Sequence, residues 1–203
     1  MKHIYLYWIP AIILCSCVIN YNTWDVLKGV ESFIQKRPDS ALKVLNSISP
    51  EELGTKKLRA RYSLLYATAL DKSHILTTDL AIILLATEYY SKYGSPTQRI
   101  RAYFHQGCIY ANKGEDGRAM YYYLISLEDS SRVADNHYKE LINSAISDIF
   151  SRNHNNEQEQ QYAIEALRYG RKAGDSVVVW AITGHIASCY GNLRRRKRVT
   201  FVL

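Results

Sequence analysis

The chain has 203 residues, a length that permits one large domain or a short array of helical repeats. Apolar residues make up 47% of it, so a chain that is disordered throughout is excluded. The formal net charge is +7, but residues 194–198 and Lys2 carry almost all of that excess. The remainder is nearly neutral, and no nucleic-acid-binding face is predicted.

The N-terminal residues 1–17 have a short positive start followed by an apolar run. That run, residues 4–14, is shorter than the ~20 residues of a membrane-spanning helix and is typical of a secretory signal. The sequence Leu-Cys-Ser-Cys at residues 14–17 resembles a bacterial lipobox. This resemblance implies that Cys17 becomes the first mature residue and carries the lipid. An uncleaved anchor and a plain signal peptide are the alternatives.

The residues after Cys17 bear on localisation. Surface-exported lipoproteins of some Gram-negative bacteria carry acidic residues there, whereas residues 18–22 contain none. By that resemblance we expect an exported, lipid-anchored protein on the periplasmic side of a bacterial membrane. The predicted organisation is a signal peptide in 1–16, a helical repeat domain in 17–193, and a basic and apolar tail in 194–203. Disorder is one interpretation of that tail.

The mature chain begins with two predicted helices, residues 24–35 and 39–48. Asn22 or Thr23 is the expected cap of the first, and Pro38 suits the first turn of the second. The apolar stripe of the second consists of Ala41, Leu42, Leu45 and Ile48.

A second helical pair is predicted between Ser49 and Gly94. Residues 49–52 read Ser-Pro-Glu-Glu and predict a capped helix that runs to about residue 71. Its partner starts near residues 77–79. Residues 80–86 are apolar almost all round, which predicts a helix covered on both sides. We expect Gly94 to end it in a left-handed cap.

The chain is organised around residues 101–128, two predicted helices joined by a turn at Gly114. Residues 95–98 open this hairpin with a second capping box. The helical stripes comprise Tyr103, Gly107 and Tyr110, then Ala119, Tyr123 and Leu127. Because Gly107 and Ala119 are small, the two helices can approach closely.

This stretch resembles the tetratricopeptide repeat (TPR) family. The positions that match the family pattern are Tyr103, Gly107, Tyr110, Gly114, Ala119, Tyr123, Ser126 and Leu127. Gln106 departs from the usual Leu, and no Pro closes the unit near Ser130. The resemblance implies an all-α fold, a right-handed α-solenoid of TPR-like hairpins with about nine helices and an incomplete last repeat. The runs RARYSLLYATALDK and RAYFHQGCIYANKG also resemble exported TPR proteins of Bacteroidetes.

Further helices are predicted over residues 138–151 and 162–173. The polar insertion at 153–158 between them is interpreted as a longer turn, and an earlier helix start that includes the glutamine-rich residues up to Gln161 is the alternative. A last helix begins near residue 175, and Ala187 and Tyr190 take the places of Gly107 and Tyr110. Spacings of 40, 38 and 44 residues separate Ala41, Ala81, Ala119 and Ala163. These spacings exceed the TPR period of about 34, although Ala86 is an alternative to Ala81.

The last predicted helix has no partner, because the basic run 194–198 follows it. Three interpretations stay open. The chain is a truncated or frameshifted form of a longer repeat protein, its last helix docks another chain or self-associates, or the tail folds back over it.

The sequence predicts no catalytic residue, metal site or cofactor. Cys108 and Cys189 fall on non-adjacent repeats, too far apart for a disulfide, and no metal-type Cys/His spacing occurs. Phosphate-binding glycine loops, HExxH and GxSxG are absent, and the acidic residues are scattered.

The TPR resemblance instead implies a peptide-binding concave groove. The residues expected to line it are Arg101, Phe104, His105, Cys108, Asn112 and His185; a solvated helix face is the simpler alternative. The predicted function is a non-catalytic scaffold that binds a protein or peptide and meets the membrane through its lipid. The alternatives are the truncated sensor half of a membrane-tethered signalling or transcription regulator, and a glycan-binding uptake lipoprotein.

Overall fold

The structure is a computed structural model that describes residues 23–174, 176–177, 179–184 and 186–187. Every regular element in these ranges is helical, so the predicted all-α class is confirmed for this part of the chain. Helix α1 covers residues 23–33, and α9 comprises the described residues from 176 to 187. Between them lie α2 (Pro38–Asn46), α3 (Lys56–Lys72), α4 (Ala81–Tyr93), α5 (Pro96–Asn112), α6 (Asp116–Ser130), α7 (Asn136–Arg152) and α8 (Asn156–Ala173).

The helices belong to two compact units, Met1–Tyr93 and Gly94–Leu203. In the first unit α3 packs against both α2 and α4. Its core contains Leu27, Val30, Ile34, Ala41, Leu45, Leu58, Leu65 and Ala69. In the second unit α6 packs against α5 and α7, α7 packs against α8, and α5 also contacts α7.

A 40-residue period relates α3, α5 and α7, which have 17 residues each. Their N-caps Thr55, Ser95 and Asp135 each accept a hydrogen bond from the backbone N–H three residues on. The left-handed residues after these helices are His74, Gly114 and His154. In α4, α6 and α8, the buried residues Ile83, Tyr123 and Ala163 are also spaced by 40 residues. The period is therefore longer than the TPR value of about 34.

The alanines spaced by 40, 38 and 44 residues do not occupy equivalent positions of this period. Ala81 is exposed at the start of α4, whereas Ala86 is fully buried. Ala86 shares its place in the period with Ser126 and Ala166, which are also fully buried. In the alternative alignment through Ala86, the equivalent residues of the three helices are therefore all buried.

The predicted start of the third helix at residues 49–52 is wrong. The capping box forms, with Ser49 N–H donating to Glu52 Oε1 at 3.0 Å, but it opens only the 3₁₀ helix Pro50–Glu52. Gly54 follows, and Thr55 caps α3 separately through Leu58 N–H at 3.2 Å. A glycine followed by a second capping residue interrupts the helix.

Three other expectations are corrected. The polar insertion at 153–158 is a short turn rather than a longer one, because Asn155 caps α8 through Gln158 N–H and α8 begins at Asn156; the alternative that the residues up to Gln161 are already helical is confirmed. Gly94 does not take the left-handed conformation. Helix α4 is not covered on both sides, since Leu84 and Leu85 are exposed.

The central hairpin forms as predicted. Ser95 and Gln98 make the capping box of α5, and Gly114 has φ +75° in the turn. A Cβ atom on Gly107 would lie only 2.5 Å from Cε1 of Tyr123, so the ring occupies the space that the glycine leaves. Any larger residue at position 107 would therefore require the Tyr123 ring to move.

Candidate functional site

The predicted groove residues on α5 do not form a common exposed surface. Phe104 is 4% exposed, and its ring centroid lies 5.9 Å from that of Tyr123 and 5.7 Å from that of Tyr138. His105 is 3% exposed. The expectation that these two side chains face an open groove is therefore wrong.

The remaining predicted residues have different environments. Arg101 and Cys108 are half-buried, and Asn112 is exposed. Cys17 and His185 lie outside the described residues, as do the signal peptide and the basic tail. The TPR resemblance implies a binding surface on the first helix of each hairpin and gives no signal for the second helix.

An open cleft lies between the start of α3 and the end of α4, within the first unit. Its volume is about 270 Å³. It is lined by Lys56, Arg59, Leu85, Glu88, Tyr89, Lys92 and Tyr93, and we call it the α3–α4 cleft. This size suits one or two side chains of a ligand rather than a whole small molecule.

The local sequence explains how the cleft forms. Thr55 caps α3 and so fixes its first turn, where Lys56 and Arg59 lie one turn apart. Arg59 Nε donates to the carbonyl oxygen of Leu53 at 2.9 Å, and this bond anchors the guanidinium group at the rim. The α4 residues follow the three- and four-residue spacing of a single helix face.

The cleft combines apolar surface with positive charge. Leu85 is 48% exposed and Tyr93 is 73% exposed. The rings of Tyr89 and Tyr93 are in contact, with centroids 5.2 Å apart. Three lining residues are cationic and only Glu88 is anionic. Such a surface can bind a segment that has acidic and apolar side chains.

In the α5–α6 hairpin, the positions equivalent to Arg59 and Tyr89 are occupied by an ion pair. Arg99 on α5 and Asp129 on α6 make two hydrogen bonds of 2.9 Å, Nε to Oδ2 and Nη2 to Oδ1. The hydrogen bonds from Arg99 lower the pKa of Asp129. Both side chains are largely shielded from solvent. This arrangement is a structural clamp between the two helices rather than a ligand site.

A second depression, of about 300 Å³, lies between α6, α7 and α8. Its charges are largely satisfied locally. Glu165 on its rim pairs with Arg168. The ring of Tyr169 lies beneath Lys139 at 5.6 Å and Lys172 at 5.7 Å. It therefore offers less uncompensated charge than the α3–α4 cleft.

The last helix exposes apolar side chains. Val177 is 76% exposed and Trp180 is 81% exposed. Residues 188–203, which decide between the three interpretations of the last predicted helix, lie outside the described residues.

Comparisons with known proteins give no identification. Neither the protein-family models nor the curated protein sequences match this chain. In the described part of the chain, no helix combines the length and hydropathy needed to cross a membrane.

Proposed function

We propose that this protein is a non-catalytic scaffold that binds a segment of another protein. The observation that carries the proposal is the α3–α4 cleft, where exposed Leu85 and Tyr93 stand beside three cations. A cleft of this size holds side chains of a peptide, while further affinity comes from the surrounding helix surface. Peptide recognition needs no general acid, base or nucleophile.

We further propose that the hairpins continue as a right-handed, TPR-like α-solenoid. The shared N-caps, the left-handed turn residues and the Gly107–Tyr123 contact support it. A repeat of this kind buries its apolar faces against its neighbours, and its outer faces stay available for partners.

The test of binding is co-purification from native cells with an affinity tag. Leu85→Glu and Tyr93→Ser change exposed cleft residues, and a bound protein is expected to be lost from both variants. Tyr121→Ser is the matched control, because Tyr121 is an exposed tyrosine on α6, outside the cleft. Retention of the same partner by the two cleft variants would refute the assignment of the site.

The N-terminal sequence supports a proposal of export and lipid anchoring on the periplasmic side of a bacterial membrane. Its basis is the Leu-Cys-Ser-Cys motif at residues 14–17. Labelling with radioactive palmitate is expected in the wild-type chain and absent from Cys17→Ala. Cys108→Ala is the control, and labelling that survives in Cys17→Ala would contradict the proposal.

A further inference from the structure

A cation recurs at one position of the 40-residue period. Arg59, Arg99 and Lys139 each donate to a carbonyl oxygen of the loop before their helix, at distances of 2.9 Å, 3.1 Å and 2.8 Å. The acceptors belong to Leu53, Gly94 and Val133. This cation is therefore part of the fold of each hairpin, and the three hairpins differ in what balances its charge.

The three hairpins are α3–α4, α5–α6 and α7–α8. Among their described residues, only the middle hairpin, α5–α6, supplies a carboxylate for this cation. Asp129 binds Arg99 in a bidentate ion pair. Forty residues before Asp129, α4 has Tyr89 at the equivalent position. No carboxylate of the described chain lies within 4.0 Å of the side-chain nitrogens of Arg59. Within the described chain, Arg59 thus keeps its hydrogen bond to Leu53 but has no carboxylate partner.

The neighbouring cations of the α3–α4 cleft also lack a carboxylate partner within the described residues. Lys56 and Lys92 also have no ion pair within the described residues. In the α7–α8 hairpin Tyr169 also replaces the aspartate, but there Glu165 takes the place of Leu85 and adds a negative charge. Among the described residues of these three hairpins, only α3–α4 combines an arginine that has no carboxylate partner with an exposed aliphatic side chain, since α7 has Lys139 at this position.

We propose that the α3–α4 cleft binds an acidic segment of a partner protein, with a carboxylate on Arg59 as Asp129 lies on Arg99. An aliphatic side chain of the same segment packs on Leu85 and Tyr93. This inference rests on the proposed scaffold function and names the chemistry of its ligand. Charge complementarity selects the acidic segment, since three cations face one carboxylate.

The probe is a short fluorescein-labelled peptide of Asp and Glu with one central Leu, titrated with the full-length chain. Fluorescence polarisation is expected to report binding that weakens as salt concentration rises. A peptide with Lys in place of each acid is expected not to bind. Arg59→Gln is expected to weaken binding about 10- to 100-fold, the effect of losing hydrogen bonds to a charged group.

A second variant avoids disturbing the anchoring bond of Arg59. Tyr89→Asp introduces the carboxylate that the middle hairpin already has, so Arg59 becomes paired within the chain. We expect this variant to keep its helical circular dichroism and to lose peptide binding. Arg99→Gln, on the hairpin whose ion pair is complete, is the matched control and is expected to leave peptide affinity unchanged.

The outcomes separate this inference from the scaffold function. Unchanged acidic-peptide binding in Tyr89→Asp, or equal binding of the Lys peptide, would overturn the inference. Binding of phosphatidylglycerol vesicles without binding of the peptide would overturn it in favour of a lipid surface. If a native partner is lost from Leu85→Glu but no acidic peptide binds, the scaffold function holds and the acidic ligand is wrong.

Discussion

Replacement of Gly107 by alanine tests the close approach of α5 and α6. The new Cβ would lie 2.5 Å from Cε1 and 2.6 Å from Cδ1 of Tyr123, distances that require the ring to move. The ring has little room to do so, because Tyr123 is buried and Phe104 lies against it.

The magnitude follows from two opposing effects. Overpacking a core costs about 1–3 kcal/mol, whereas Gly→Ala in a helix gains about 1 kcal/mol from helix propensity. Because the contact is so short, we take the upper part of the first range and expect a net loss of about 1–2 kcal/mol. The corresponding fall in melting temperature is about 2–8 °C.

The assay is urea unfolding of the full-length chain followed by far-ultraviolet circular dichroism. Gly29→Ala is the matched control, because Gly29 lies within α1 and a Cβ there would meet no atom within 4 Å. We expect this control to gain up to about 1 kcal/mol. A Gly107→Ala variant as stable as the wild type would refute the argument that the Tyr123 ring fills the glycine site.

Three further predictions concern caps, turns and charge. Ser95→Ala should lower the unfolding free energy by about 1 kcal/mol in urea titrations, since it removes the N-cap of α5, whereas Thr97→Ala should have little effect. His74→Gly should raise the free energy of unfolding by up to about 1 kcal/mol, because His74 is exposed and has φ +56°, whereas Gly114→Ala should lower it. Hydrogen bonds from Arg99 lower the pKa of Asp129, so its stabilising contribution is present above about pH 4 and is lost as pH falls through the lowered value. Unfolding measured against pH should therefore show less loss of stability on acidification in Asp129→Asn than in the wild type, and an equal loss would contradict the pairing.

Several local features could be predicted from the sequence because they depend on near neighbours in the chain. The capping box at Ser95 and Gln98 joins residues three apart. The turn at Gly114 requires a left-handed conformation that glycine adopts readily. Pro38 begins α2 for a similarly local reason. The small residue at Gly107 also indicated a close helix contact.

The 40-residue period is also present in the sequence, but the alanines are the wrong markers for it. Thr55, Ser95 and Asp135 recur every 40 residues, and Asp175 continues the series in the sequence. Alanines are weaker markers, because an alanine is compatible with both an exposed position such as Ala81 and a buried one such as Ala86. The capping box at Ser49 predicted the wrong start of α3 for a related reason. The box forms, but Gly54 interrupts the helix before α3 begins.

The sequence by itself determined the helical class, most helix starts and the tight Gly107 contact, all of which follow from local propensity and residue size. Only the tertiary structure decided which side chains are exposed. Phe104 and His105 share a helix face with Asn112 in the sequence pattern, yet they are buried. Arg59 and Tyr89 lie on different helices, so only the packing of α3 against α4 shows that they line one cleft in which the arginine lacks a carboxylate partner within the described chain.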